Sequence, residues 1–353
     1  MRIVVAMSGG VDSSVAAAML ADQGYDVVGL SMQLYDQTEG QTRFGSCCTL
    51  DDLHDARRVA AAVGIPHYII NFERQFDAHV ISNFVEQYTM GRTPIPCTRC
   101  NGELKFTTLL ERARGFDAKV VATGHYARVE RTPQGRFSLK RGIDAEKDQS
   151  YFLFSLTQDQ LACASFPLGG LRKSEVRTYA NARALPVANK PDSHEICFVP
   201  DGDYTKFVEH RAPVVATEGP IVDQSGHVLG QHNGLHRFTV GQRKGLGLSC
   251  SEPLYVLALD ATSNTVTVGS RSALGRTTLT ASDVNWTDGE PPTAARRVTA
   301  QIRHRHPAAP ATIRPLEAKR VATEFDEPQP AVAPGQAIVF YDGDTVVGGG
   351  WID

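Results

Sequence analysis

An excess of basic charge is the first thing this sequence lacks. Its 36 Lys and Arg face 39 Asp and Glu, a formal net charge of −3. No surface-wide attraction for nucleic acid follows, so any polyanion site must come from a local basic patch. Long apolar runs are missing too. None approaches the ~18 residues that read as a membrane span, so no membrane partner is expected. The first strand starts at residue 2, which leaves no room for a signal peptide, and the expected compartment is the cytoplasm. An even cysteine count is also absent. The seven cysteines (47, 48, 97, 100, 163, 197 and 250) point to thiol chemistry or metal binding rather than a disulfide framework. There is no internal repeat. What remains is ordinary: 353 residues, 42% hydrophobic and 21% charged, the profile of a soluble globular chain of two or three domains.

The chain is organised around its first turn. Arg2 to Ala6 is an apolar run rich in β-branched residues and reads as a buried strand. Ser8-Gly9-Gly10 follow, and Val15 to Ala21 reads as a helix that Gly24 ends. Such a unit aims backbone N–H groups and the positive end of a helix dipole at one spot, which suits a phosphate. Gly9 and Gly10 permit close backbone approach. Ser8, Ser13 and Ser14 add hydroxyls, and Asp12 is placed to help hold the Mg²⁺ that accompanies a nucleotide. No Gly-Lys-Ser/Thr follows the glycines, so this is not a Walker A loop. Nor is the spacing that of the dinucleotide fingerprint. Ser8-Gly9-Gly10-Val11-Asp12-Ser13-Ser14 resembles instead the PP-loop of ATP pyrophosphatases, which split ATP into AMP and pyrophosphate and attach the AMP to an oxygen. The alternative is an ordinary βα turn rich in Gly and Ser.

Strand patterns at 25–32, 66–72 and 119–124 alternate with helical patterns at 50–63, 73–88 and 104–113. The alternation predicts an α/β fold, a doubly wound parallel sheet with ligands at the carboxyl ends of its strands. Ser8 to Ser13, Met32 and Gly124-His125-Tyr126 sit at such ends. Thr49 with Asp52 reads as a capping box. Residues 127–141 read as a hairpin turning at Pro133-Gln134-Gly135, and helical patterns follow at 157–164, 173–184 and 203–210. Beyond Pro213, short strands with Gly and Asp/Ser/Asn turns replace the helices. The expected division is a catalytic domain over 1–211, a small central β domain over 212–276 and a C-terminal β-barrel over 277–353. Residues 289–297 and 307–315 read as linker or loop.

Cys97-Thr98-Arg99-Cys100 follows a proline-stiffened loop. A helix expected from Asn101 puts Cys100 at or near its N-terminus, where a thiol pKa falls. The residues alone support one activated thiol, and they leave a partnership with Cys197 open. Cys47-Cys48 read as a structural feature before a helix, Cys163 as core, and Cys250 carries no assigned chemistry.

Several motifs together resemble the tRNA-specific 2-thiouridylase (MnmA) family. They are Ser8–Ser14, Gly91-Arg92-Thr93-Pro94, Cys100-Asn101-Gly102-Glu103-Leu104-Lys105-Phe106, Ala122-Thr123-Gly124-His125-Tyr126, Lys147-Asp148-Gln149-Ser150-Tyr151 and Ile196-Cys197-Phe198, in the family's order from residue 2 to the final Gly-Gly-Trp-Ile. In that family ATP adenylates the C2 oxygen of the wobble uridine, and sulfur then replaces the oxygen. The resemblance implies ATP on Ala6, Met7, Ser8, Gly9, Gly10, Val11, Asp12, Ser13, Met32 and Gly124. It implies Cys197 as persulfide carrier and Cys100 as the nucleophile that resolves it through a transient disulfide. It implies tRNA contacts at Ile95, Pro96, Cys97, His125, Lys147, Asp148, Gln149, Arg303, His304 and Gln336, and a sulfur-donor protein (a cysteine desulfurase or relay) as partner. Many members carry Asn-Pro-Asp where this chain reads Ile95-Pro96-Cys97. The third thiol opens a second version, in which Cys97, Cys100 and Cys197 hold an iron–sulfur cluster whose open iron delivers sulfide.

The basic surface for tRNA is expected from Arg296-Arg297, Arg303-His304-Arg305-His306, Arg314, Lys319-Arg320, His236-Arg237 and the Gly-rich loop around Arg243-Lys244. The target uridine would be extruded into the pocket. Two rivals remain: another PP-loop synthetase working through an adenylate, and an RNA-binding iron–sulfur or thiol redox protein.

Overall fold

The computed structural model describes residues 1–34, 50–192, 196–199, 202–213 and 216–353. The expected capping residue Thr49 and the pair Cys47-Cys48 lie outside the described residues. β1 (Arg2–Ala6), β2 (Asp26–Gln33), β3 (His67–Asn71), β4 (Val121–Ala122) and, later in the chain, the short strand Ala164–Ser165 form a parallel sheet. β1 is buried on both faces because its side chains alternate between two cores. Val4 and Ala6 join Leu30, Phe72, Leu104 and Phe106, whereas Ile3 and Val5 join the helix α1 (Val11–Asp22) through Val15 and Ala16. The run Val15 to Ala18 is fully buried, and its small side chains let α1 lie close to the sheet. α2 (Leu50–Val63) and the helix Lys173–Ala182 complete that layer.

From β1 the chain winds to β2 and β3, then returns to place β4 on the other side of β1. The order reverses between β1 and β4. In open α/β sheets the crevice outside the strand ends at such a reversal is where ligands sit. The glycine turn after β1 and Gly124-His125 after β4 open onto it.

β5 (Ala127–Arg131) and β6 (Phe137–Arg141) form the expected hairpin. A four-stranded central sheet follows, built from β8 (Gly219–Val222), β9 (Val228–His232), β10 (Tyr255–Asp260) and β11 (Thr265–Gly269), with Ala164–Ser165 counted as β7. The C-terminal unit is a closed antiparallel barrel of β12 (Gly275–Trp286), β13 (Arg296–Gln301), β14 (Ala309–Leu316), β15 (Arg320–Pro330), β16 (Ala337–Asp342) and β17 (Thr345–Ile352), shut by pairing of β12 with β17.

Two expectations need correction. Residues 307–315 are largely strand, because β14 is hydrogen-bonded to both β13 and β15 despite Pro310 and Pro315. The helix expected from Asn101 begins at Pro96 and runs on to Arg114. The hairpin also joins the barrel sheet, since Lys140 of β6 pairs with Thr345 of β17.

Candidate active site

The glycine turn is shaped by its own backbone and by α2. Gly9 has φ +73°, and a Cβ there would lie 2.1 Å from the carbonyl oxygen of Asp52. Only glycine meets both conditions. Gly10 caps α1 in an extended conformation, and no side chain caps that helix, so its N-terminal amides face the crevice ready for an anion. The serines brace the turn from inside. Ser8 N–H donates to Ser13 Oγ (3.1 Å), and Ser14 Oγ donates to the Gly10 carbonyl (2.8 Å). Gly124 closes in from β4, where a Cβ would come within 2.6 Å of the Ser13 nitrogen.

Asp12 does not stand ready as a metal ligand. Both its oxygens accept from Lys173 Nζ (2.7 and 2.9 Å), and Oδ1 also accepts from the Tyr126 hydroxyl (2.7 Å). Lys173 reaches in turn to Asp192 (2.8 Å), which also takes Lys147 (2.8 Å) and Arg177 (2.9 Å). Two residues earlier, Lys190 Nζ donates to the Gly9 carbonyl (3.1 Å), Asp52 (2.5 Å) and Asp55 (2.6 Å). The segment leading to Cys197 is thus tied to the glycine turn by the Asp192–Lys173–Asp12 ion pairs and by the Lys190 hydrogen bond to the Gly9 carbonyl.

Burial alone would raise the Asp192 pKa, but hydrogen bonds from Lys147 and Lys173, with their charge, outweigh it and hold the carboxyl at about 2. A carboxyl depressed from 3.8 in this way contributes stability that is complete above that value and is lost as pH falls towards 2. The stability difference between the protein and Asp192→Asn, read by urea unfolding, is expected to hold steady from about pH 7 to 5 and to shrink from about pH 4 to 2. A difference that stays flat through the acid range would contradict the network.

Cys100 lies in the second turn of the helix that begins at Pro96, not in its first. Ile95 is the N-cap, Pro96 fills the first position, and Cys97 follows it. From Cys100 to Thr108 the backbone widens to i→i+5 hydrogen bonding, a feature frequent at functional sites. Cys197 is half-buried. Its neighbour Phe198 anchors it edge-on against Phe76 and Phe84, at ring separations of 5.4 and 5.1 Å.

A cavity of about 1140 Å³ brings these parts together. It is lined by Ala6, Met7, Ser8, Gly10, Val11, Asp12, Ser13, Met32 and Gly124, and also by Cys97, Cys100 and Cys197. Pro96, His125, Lys147, Asp148, Gln149 and His304 line it as well, and its volume suits a ligand of nucleotide size or larger. Gly9 shapes the turn from behind. Ile95, Arg303 and Gln336 are not in the lining. Gln336 instead donates to the Thr93 carbonyl (3.0 Å), latching the barrel to the Arg92–Pro94 loop.

Two residues expected to meet tRNA are committed inward. Asp148 accepts from Arg141, from the Gly142 N–H and from Ser150, and Gln149 Oε1 accepts the Tyr126 N–H. His125 is held neutral, since burial and then the charge of Lys105 push its pKa well down, and Nδ1 lies 2.6 Å from the Thr123 hydroxyl. Among the described residues no three His, Cys, Asp or Glu side chains converge closely enough to hold a metal ion. Cys97, Cys100 and Cys197 therefore present no assembled cluster site.

Sequence reading missed Lys105, Lys173, Lys190 and Asp192 as site residues. For Lys190 and Asp192 the available signal was a Lys and an Asp within a few residues of a candidate cysteine. Lys173 carried none, since its partner Asp12 lies 161 residues away.

The expected basic surface is largely neutralised. Arg296, Arg297, Arg314 and Arg320 each pair with a carboxylate, Asp342, Asp326, Glu324 and Asp353 respectively. His236 and Arg237 share Glu209. Among the described residues Arg243, Lys244, Arg303 and Arg305 make no ion pair, and all but the half-buried Arg303 are exposed.

Residues 1–201 match a family model described as the tRNA methyl transferase HUP domain, residues 205–270 one described as the tRNA methyl transferase PRC-barrel domain, and residues 276–352 one described as the aminomethyltransferase beta-barrel domain. Among curated relatives, tRNA-specific 2-thiouridylase MnmA of Geotalea uraniireducens is 54% identical, over 100% of this chain and 95% of its own length. The proteins of the same name from Geobacter metallireducens and Solibacter usitatus are 52% and 53% identical, over 100% and 99% of this chain and 96% and 99% of theirs. No helix among the described residues is long and apolar enough to cross a membrane. With identity this high along the whole chain, the protein belongs to the tRNA-specific 2-thiouridylase MnmA family.

Proposed function

We infer that this chain is an ATP-dependent tRNA 2-thiouridylase, a sulfurtransferase acting on the wobble uridine. The observation that carries the reading is one cavity lined both by the glycine turn and by Cys100 and Cys197, in a chain whose full-length relatives bear that name. In the reaction, the uridine C2 oxygen attacks the α-phosphorus of ATP and pyrophosphate leaves. The terminal sulfur of a Cys197 persulfide then attacks C2, and AMP departs with the oxygen. Cys100 attacks the inner sulfur of Cys197, freeing the terminal sulfur as the new C2=S and leaving a Cys100–Cys197 disulfide for an external thiol to reduce.

ATP would sit on Ala6 to Ser13 with Met32 and Gly124. Mg²⁺ would arrive on the phosphates, which it shares readily with few protein ligands. For Asp12 to join it, Lys173 would have to release the carboxylate. A sulfur-donor protein would charge Cys197, and tRNA would approach from the side of His304 and Arg303.

The test is pyrophosphate release from ATP that requires tRNA lacking the modification, read together with tRNA affinity. Arg243→Gln with Lys244→Gln is expected to weaken binding and lower the salt slope by about 1 for each phosphate no longer neutralised, whereas Arg297→Gln, already paired, leaves it alone. Pyrophosphate release indifferent to tRNA would refute the reading.

A further inference from the structure

Most positive charge around the cavity is already committed. Arg141 pairs with Asp148, Lys147 with Asp192, and Lys190 with Asp52 and Asp55, while Arg305 stands exposed at the rim. Lys105 differs. It is half-buried, lines the cavity, makes no ion pair among the described residues, and donates from Nζ to the Asn101 side-chain oxygen at 3.0 Å. Asn101 is only 2% exposed and is itself pinned, its amide N–H donating to the Phe152 carbonyl at 3.2 Å. The ammonium is therefore held in place by a neutral partner. A half-shielded cation with no counter-ion loses solvation that a single amide oxygen offsets only in part, and an anionic ligand would complete the balance.

Its position says which anion. Lys105 comes one turn of the widened helix after Cys100. On the other side its charge reaches His125, the residue after Gly124, and Gly124 lies against the backbone of Asp12 and Ser13. The ammonium thus lines the same cavity as the thiol and the nucleotide turn.

We propose that Lys105 is a catalytic residue that binds the phosphate oxygens of the AMP leaving in the sulfur-transfer step. This rests on the function inferred above. In that step the S–C2 bond forms and the C2–O bond breaks, and the oxygen departs with the bonding electron pair. The phosphate thereby gains a second negative charge that the adenylated uridine does not carry. A fixed ammonium at that point favours the transition state over the adenylate, which is the condition for raising the rate.

The experiment follows both steps in a single turnover with ATP, unmodified tRNA and a persulfide donor. Lys105→Met is expected to release pyrophosphate within about threefold of the unaltered protein. Formation of thiolated tRNA should slow about 100-fold while adenylated tRNA accumulates, and Lys105→Arg should recover most of the loss. Equal slowing of both steps would place the ammonium in adenylation and overturn the proposal, as would unchanged thiolation. If thermal melting shows the methionine variant to be unfolded, Lys105→Gln carries the same comparison. Absence of tRNA-dependent pyrophosphate release from the unaltered protein would overturn the parent function and this role together.

Discussion

Cys197→Ser is expected to bind ATP and release pyrophosphate in the presence of tRNA as the unaltered protein does, yet to form thiolated tRNA at least about 10³-fold more slowly. Serine keeps the shape of the side chain, and the anchor of this segment is Phe198 against Phe76 and Phe84, which the substitution does not touch. What changes is the chemistry. An oxygen at this position cannot carry a transferable sulfur. Cys100→Ser should show the same split, with adenylation intact and sulfur transfer stalled. Cys163 supplies the control, because it packs against the same core yet does not line the cavity, and Cys163→Ser should thiolate normally. Thiolated tRNA from Cys197→Ser at half the normal rate would end the assignment.

The two glycines of the first turn should separate structure from ligand. Gly9→Ala must hold a side chain at φ +73° with its Cβ 2.1 Å from the Asp52 carbonyl oxygen, a backbone atom at the head of α2 that no rotamer change can remove. A loss of about 3 kcal/mol or more is expected, seen as a melting point lowered by roughly 5–10 °C and as lost ATP binding. Gly10 has an ordinary negative φ of −88°, and a Cβ there meets nothing nearer than Ser8 Oγ at 3.7 Å. Gly10→Ala should therefore melt within about 1 °C of the parent while binding ATP at least about tenfold more weakly, since the methyl would occupy the path of the phosphate. Unchanged ATP affinity in Gly10→Ala would show that the phosphate does not approach over that residue.

Local chemistry made some of this legible in the sequence. The β-branched run before Ser8, the glycines and the alanine-rich helix prescribe the nucleotide turn, and Pro133-Gln134-Gly135 announces its hairpin. Proline misled twice. Pro96 looks like loop, yet the first helical position has no use for the N–H that proline lacks. Pro310 and Pro315 look like linker, yet both lie in a barrel strand. Charge misled for a different reason. Arg297 and Arg314 cluster in sequence with other cations, but their carboxylate partners Asp326 and Glu324 both arrive from β15, which neighbours β14 and lies one strand beyond it from β13, and pairing across a sheet leaves no local mark. The Asp12–Lys173–Asp192 chain was hidden likewise, because only the doubly wound topology brings its members together.

The pairing of Lys140 with Thr345 has a bearing on how the enzyme comes into being. Arg141 N–H donates to the Asp344 carbonyl (2.8 Å), and the Tyr151 hydroxyl donates to that of Ala337 (2.9 Å). The hairpin edge that follows Gly124 and His125 is thus finished by the last strand of the chain. On the ribosome, where the N-terminal domain emerges first, that edge must wait for β17 to be translated. A nascent chain that stops short of Thr345 would hold the nucleotide turn without a partner strand on β6, so the hairpin of the first domain is completed by a strand made far later.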